Sequence, residues 1–367
     1  MRAPRRAWPV AGVFTLLALA ACDAHEASQA AADAATTDAP EEVAIDAAAG
    51  NAPVIDADAS VPAPAPYPRP SYQRLSETGL YADPAAQVVA SGLARFHPAH
   101  VLWSDGADKD RLVFLPPGTR IDTSDMDHWV FPIGTKLWKQ FARGGQRLET
   151  RLIERYGPGP EDYWMGSFVW TPDQQDAVFA PDGAANVNGT DHDAPAAKVC
   201  LSCHRGDRGR VLGLSAIQLS HAGDDLTLAA LAAGGHLSHP PPPGVDYPVP
   251  GDATTAAALG YLHANCGHCH NQAGTSWPDT QVVMRLRVGE RDPATSELVQ
   301  TLVGHPLNYF RHPTLRVRVA PGDPAASAVI FRMKARGDRD QMPPLATKHP
   351  DPVGIELLTR WIAGLPR

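Results

Sequence analysis

Between residues 71 and 195 the chain alternates short apolar runs with clusters of turn formers. Arg111–Leu115, Lys136–Phe141, Leu148–Tyr156 and Trp164–Trp170 are separated by Pro116-Pro117-Gly118-Thr119, Gly134-Thr135, Gly144-Gly145 and Gly157-Pro158-Gly159-Pro160, and Pro181-Asp182-Gly183 follows. Such spacing predicts short strands joined by tight connections. In the third run Leu148, Thr150, Leu152 and Tyr156 alternate with Glu149, Arg151 and Arg155, the period-two pattern of a half-buried strand. Trp164, Phe168 and Trp170 share one face of the fourth run, which marks it as a core strand. A small antiparallel sandwich or barrel is expected.

Beyond residue 195 the period changes. Asp225 to Ala233 reads as a helical piece before Gly234-Gly235, and Pro240 to Pro243 then forms a stiff break. From 251 onward helical spacing dominates. Asp252 or Thr254 is placed to cap a helix through Ala256–Asn265. Asp323 is placed to open another with Val329, Ile330 and Met333 on one face. A last helix, Val353 to Ile362, sets Ile355, Leu358 and Trp361/Ile362 on one side. Gly260 on the first of these helices would let another element approach closely, and a bulky aromatic on the last would fit that crossing. The expected fold class is therefore multi-domain α+β. It comprises an antiparallel β domain (71–195), a small module with little core of its own (196–250) and an all-α domain (251–367).

The N-terminal region has a different texture. Arg2, Arg5 and Arg6 precede an apolar run from Val10 to Ala21, the layout of a signal peptide over residues 1–22. The run is shorter than the ~20 apolar residues of a spanning helix. It ends Leu19-Ala20-Ala21-Cys22, which resembles the bacterial lipobox and implies that Cys22 becomes the lipidated N-terminus. Ordinary cleavage that leaves Cys22 as a free thiol is the alternative. Residues 23–70 are rich in Ala, Pro and Asp and hold nine acidic residues against one basic, Arg69. Such a stretch cannot bury enough apolar surface to offset its ordering entropy and reads as a disordered tether. The formal net charge of −8 thus belongs mostly to the tether, since the chain from 71 onward carries only −3.

The chemistry is concentrated in cysteines. Five are present, and all have a reading. Cys200-Leu201-Ser202-Cys203-His204 and Cys266-Gly267-His268-Cys269-His270 are both Cys-x-x-Cys-His, the attachment signature of c-type haem. Two thiols on one side of a short turn can add across the two vinyl groups of the ring, and the following histidine lies under the iron. Zinc ribbons separate their cysteine pairs by roughly 15–20 residues and need no histidine after each pair. A thioredoxin-like site would use one pair in a βαβ setting. Two covalently bound haems (iron), on Cys200, Cys203, His204 and on Cys266, Cys269, His270, are the expected cofactors. The 251–367 segment then has the layout of a small cytochrome c domain.

Met342-Pro343-Pro344 lies in a polar loop between the last two predicted helices, where a methionine would supply the sixth ligand of the second iron. Met333 falls on a helix face and is expected in the core. For the first iron the sixth ligand is open: His192, His221, His236, His239, His263, Met126 and Met165 are all candidates. Weaker features include Asp105, Asp108 and Asp110 around Gly106, which superficially suggest a calcium loop but lack the terminal glutamate. His97 and His100 flank a Pro-Ala pair as a metal site would. Lys136 and Lys139 share one β run, as would suit a haem-crosslinking lysine. No phosphate loop, hydrolytic triad or basic nucleic-acid patch is found.

Over roughly residues 75–367 the chain resembles a group of bacterial dihaem c-type cytochrome lipoproteins. The resemblance is carried by Leu102-Trp103-Ser104-Asp105-Gly106-Ala107, Phe131-Pro132-Ile133-Gly134-Thr135, Glu149-Thr150-Arg151-Leu152, the two haem motifs, Gly260-Tyr261-Leu262-His263-Ala264-Asn265-Cys266 and Met342-Pro343-Pro344. It implies a β domain fused to two haem modules, anchored to the membrane by lipid, in the bacterial cell envelope facing the periplasm. The implied role is electron transfer between redox partner proteins, with no nucleic acid involved. A haem enzyme, peroxidase or oxidase-like, with an open first iron is the alternative. A more distant resemblance is to haem enzymes that place a β domain before the motif and crosslink the ring through lysine.

Overall fold

In a computed structural model, residues 67–367 are described. The signal sequence, Cys22 and nearly all of the tether lie outside them. Among the described residues no helix is long and apolar enough to cross a membrane.

The alternating runs form one antiparallel meander. Ala94–Arg95 (β3), Asp108–Phe114 (β4), Lys136–Arg143 (β5), Gln146–Arg155 (β6), Tyr163–Trp170 (β7) and Ala177–Phe179 (β8) pair in chain order. A separate hairpin of Tyr81–Asp83 (β1) and Val88–Val89 (β2) precedes them. The sheet is open, since β3 and β8 are its two edges, so neither a sandwich nor a barrel forms. β5 and β6 are joined by the two-residue Gly144-Gly145 turn, and sequential strands usually pair as neighbours in this way.

Both faces of this sheet are covered, contrary to the half-buried strand that alternation predicted. On one face Leu112, Trp138, Leu152, Trp164 and Phe168 pack with Leu75 and Leu80 from the segment before the sheet. The indole N–H groups there are satisfied: Trp138 donates to Thr78 Oγ1 and Trp170 to Thr150 Oγ1, each at 3.0 Å. The other face carries the charged positions of β6, yet it turns inward. Glu149 is fully buried, donated to by Arg151 at 2.7 and 2.9 Å and by His192 Nε2 at 2.9 Å. Burial alone would raise the Glu149 carboxyl, but Arg151 and His192 outweigh it and hold it at about 2.

The segment after the sheet has no core of its own. Val211, Leu214, Leu219, Leu228 and Leu231 pack against Phe96, Val113, Ile121, Trp129 and Phe131 in one continuous cluster. Its helices are short: Cys200–His204 (α1), Ala216–Leu219 (α2) and Leu228–Ala233 (α3), the last capped by Thr227 rather than starting at Asp225. The C-terminal region contributes Ala253–Asn265 (α4), Trp277–Thr280 (α5), Glu297–Leu302 (α6), Ala328–Lys334 (α7) and Pro352–Gly364 (α8). Asp252 caps α4 by accepting from Thr255 N–H at 2.8 Å. Helix α7 starts after Ser327; Asp323 instead closes the turn before it, accepting from Ala326 N–H. The architecture is mixed α+β with antiparallel sheets.

Helices α4 and α8 cross, but the glycine is on the last helix. A Cβ on Gly354 would overlap the Tyr261 ring, so the glycine of α8 seats the aromatic of α4. Gly260 serves a different neighbour, the ring of His100 from the segment before β4. Leu358, Trp361 and Ile362 of α8 close the core against Ala258, Leu259 and Leu262 of α4.

The Glu149 cluster gives a test. A carboxyl held near 2 in the folded chain and near ~4.3 unfolded adds stability that is fully present above the unfolded value. That stability is lost as pH falls toward 2. Glu149→Gln leaves Arg151 buried without its counter-charge and is expected to cost about 3–5 kcal/mol at neutral pH. Urea unfolding of wild type and variant, repeated below pH 4, should show the difference shrinking with acid.

Candidate functional site

The two Cys-x-x-Cys-His segments, far apart in sequence, are adjacent in space. Cys203 Sγ, a His268 ring nitrogen and Cys269 Sγ all lie within 4.8 Å of one another. Cys269 Sγ donates to Ser202 O at 3.5 Å, and Thr275 Oγ1 donates to the same carbonyl at 3.2 Å. The approach depends on Gly206, where a Cβ would overlap the carbonyl oxygen of His268. It is locked by Arg285, which pairs with Asp207 at 2.7 Å and donates to the carbonyls of Gly206 and Asp127. One guanidinium, from the segment after the second motif, therefore holds the turn after the first motif against the β region.

Each motif opens on its own cleft. The first, with ≈ 1180 Å³ of unfilled space including its solvent mouth, is lined by Cys200, Cys203 and His204 and by Arg111, Lys139, Arg151 and Met165 of the sheet. The second, with ≈ 1100 Å³, is lined by Cys266, Cys269, His270, Met342 and residues of α7. Trp103, His268 and Pro343 border both.

The two histidines after the cysteine pairs are set up alike. His204 Nδ1 donates to Arg210 O at 2.7 Å. His270 Nδ1 faces Ser276 Oγ at 3.0 Å, whose own hydrogen goes to Cys269 O. Both rings thus keep their proton on Nδ1 and leave the Nε2 lone pair for a metal. Burial pushes both imidazoles down to about 4, so they are neutral near pH 7. Among the thiols, burial pushes Cys266 up to about 12, and the close approach of Cys269 pulls Cys203 down while raising its partner.

Paired thiols beside a cleft, a neutral imidazole and a lining of apolar and basic side chains are what a covalently held haem would need. The Cys203, His268 and Cys269 atoms would also suit a small metal ion, with each motif giving up a thiol that attachment would need. His268, at the middle position of the second motif, is a residue that motif reading passes over; its Nδ1 is buried without a hydrogen-bond partner among the described residues.

Met342 lines the His270 cleft, its backbone N–H held by Arg332 O at 2.9 Å. Met333 and Met284 line the same cleft while packed in the helical core. The loop after Met342 is braced by Gln341, which donates to the carbonyls of Pro343 and Thr347. Asp105 completes the brace: its carboxylate accepts from Lys348 N–H at 2.9 Å and His349 N–H at 3.0 Å. Asp105 is a loop anchor, not part of a calcium site; Asp110 is paired with Arg95 at 2.7 Å. Asn265 performs a similar tie, accepting from Trp103 N–H and donating to Val101 O.

Of the candidates for the first iron, only Met165 lines the His204 cleft. His192 is committed to Glu149, His221 bonds His97 O, and His263 Nδ1 accepts from Leu286 N–H at 3.0 Å. His239 bonds Ser238, His236 packs on Gly234, and Met126 packs in the Ile121 cluster. His97 pairs with Asp225, away from His100. Lys136 and Lys139 sit on opposite faces of β5: Lys136 donates to Tyr72 Oη and Thr78 O, and only Lys139 reaches the cleft. Comparison of the chain with protein-family models, with curated proteins and with solved structures finds no match.

Asp105→Ala removes two bonds to a charged acceptor, each worth roughly 1.5–3 kcal/mol. The Lys348 and His349 amides should exchange with deuterium at least about tenfold faster than in wild type, while amides of α4 keep their protection.

Proposed function

We propose that the chain is a membrane-anchored dihaem c-type cytochrome that passes electrons between redox partner proteins at the periplasmic face of the bacterial cell envelope. The observation that carries this reading is the pairing of two Cys-x-x-Cys-His segments, each beside its own cleft with a neutral, Nδ1-donating histidine, and with their nearest thiols within 4.8 Å. On this reading the chain is laid out as a β domain, a small first haem module and a cytochrome c-like helical domain, held out from the membrane by the acidic tether on a lipidated Cys22.

Bound at these residues, haem supplies a one-electron iron couple. The chain's part is positional. Cys200, Cys203, Cys266 and Cys269 hold the rings, His204 and His270 offer Nε2, and Met342 stands as the sulfur ligand of the second site. Since Cys203 and Cys269 are neighbours, the two attachment points would lie close together. Arg285 and Gly206 fix that separation.

The enzyme reading keeps one observation in its favour. The first cleft receives none of the five candidate histidines, and its sheet wall is cationic. Carbon monoxide binding to the reduced protein decides between them: no binding at either iron is expected of a carrier, and stoichiometric binding at the first iron would favour the enzyme.

Alkaline pyridine spectra of protein exported with a haem-attachment system should report two haems per chain, falling to one in Cys200→Ala/Cys203→Ala. Zinc in place of haem, bound at Cys203, His268 and Cys269, would overturn the proposal. Met342→Ala should abolish the sulfur-to-iron band at the red end of the oxidised spectrum; its retention would transfer the ligand role to Met333 or Met284.

A further inference from the structure

Antiparallel register places Arg111, Lys139, Arg151 and Ser167 directly opposite one another across β4, β5, β6 and β7. Side chains so aligned stand about 5 Å apart, and like charges in that arrangement repel. A row of three cations would be tolerable on a solvated face, but this face is the wall of the His204 cleft. Arg151 has its carboxylate in Glu149, at 2.7 Å. Arg111, only 4 % exposed, and Lys139 have no ion-pair partner and no side-chain hydrogen bond among the described residues. The Phe141 ring gives partial relief, with Lys139 Nζ 5.1 Å and the Arg151 guanidinium 4.4 Å from its centroid. Ser167, fully buried at the end of the row, stands near Glu149 without a hydrogen bond of acceptable geometry.

The second cleft behaves differently. Its cations are spent on backbone carbonyls: Arg318 on Thr301 and Thr280, Arg332 on Asp340 and Arg339, Arg336 on Met333, Ala335 and His349. Without a counter-charge, burial pushes both groups toward their neutral forms, and an anion seated beside them would restore the charged ones. Charge-assisted bonds to an oxyanion would meet that need, and the Ser167 hydroxyl adds a neutral donor.

We propose that Arg111 and Lys139, with Ser167 beside them, form a binding site for one oxyanion on the sheet wall of the first cleft. The oxyanion is a carboxylate or a small inorganic oxyanion; a haem propionate and a free solute are its two sources. The first source rests on the reading that Cys200, Cys203 and His204 hold haem, and the second does not.

The test uses the full holoprotein and the variants Arg111→Gln and Lys139→Gln, with Lys139→Arg as the charge-keeping control. Each haem is titrated electrochemically, and formate and nitrite are titrated by absorbance and calorimetry. If a propionate occupies the site, removing either charge shifts the first haem about tenfold toward the oxidised form, about 59 mV for one electron. Lys139→Arg and the second haem stay unchanged, and neither probe binds. If a free oxyanion occupies it, wild type binds formate or nitrite, and the Gln variants bind at least about tenfold more weakly. Folded, haem-loaded Gln variants with unchanged potentials, in a protein that binds neither probe, would overturn the proposal. A wild type that carries no haem sinks the cytochrome reading instead, and the calorimetric titration alone then judges the oxyanion site. Should a Gln variant fail to accumulate, Arg111→Lys is titrated in its place, where a change in neither potential nor affinity, with no probe bound by wild type, counts against the site.

Discussion

The constraint on which the rest depends is the close approach of two cysteine-bearing turns. Their nearest sulfurs come within 4.8 Å only because Gly206 presents no side chain to the His268 carbonyl. A turn that must touch another turn cannot also build its own hydrophobic core, which explains why the first motif borrows one. The apolar residues that follow it complete a cluster begun by Phe96, Val113 and Ile121 before and within the sheet. Arg285 finishes the arrangement: half-buried beside Asp207 and two carbonyls, it ties its own segment to groups from two other chain regions. Removing any one partner would leave the others desolvated and unpaired, so the regions hold their positions together.

A second set of ties works at longer range. Trp103 and Asp105 belong to one short segment before β4, yet one is held by Asn265 at the end of α4 and the other holds the backbone of the loop after Met342. The segment thus couples the helix that delivers the second motif to the loop on the other side of the same cleft. Sequence inspection grouped Asp105 with nearby acids because an acidic residue beside a glycine looks like a cation loop. Its actual partners are amides more than 240 residues away, and no local pattern encodes a partner so distant.

What the sequence made legible follows a physical rule. Features that depend on residues a few positions apart were readable: the strand runs, the Asp252 cap, the Cys-x-x-Cys-His turns, the apolar face of α8. Features that depend on what covers a face were not. Alternation in β6 predicted a solvated charged side, since period two reports that the faces differ and not what each one meets. The same blindness paired Lys136 with Lys139, although a spacing of three in a strand puts them on opposite sides. It also reversed the helix crossing, where glycine and aromatic exchange helices. The histidines proposed for the first iron failed for a related reason: most of them satisfy nearby backbone or carboxylate groups, the ordinary fate of a partly buried imidazole.

The asymmetry between the clefts then has a structural origin. The second is enclosed by helices and a loop from its own region, whose arginines are consumed in closing helix ends and turns onto carbonyls. The first has a sheet for a wall, and a sheet supplies side chains in rows with their backbone groups already paired. Basic side chains on such a row find no carbonyls to bond and must be met by other groups. Glu149, two residues before Arg151 on the same strand, meets one of them and is also bonded by His192, and it makes no bond to Arg111 or Lys139. The row of basic side chains therefore follows from building half the cleft out of β structure, and an anion seated in that cleft is what the sheet wall would accommodate.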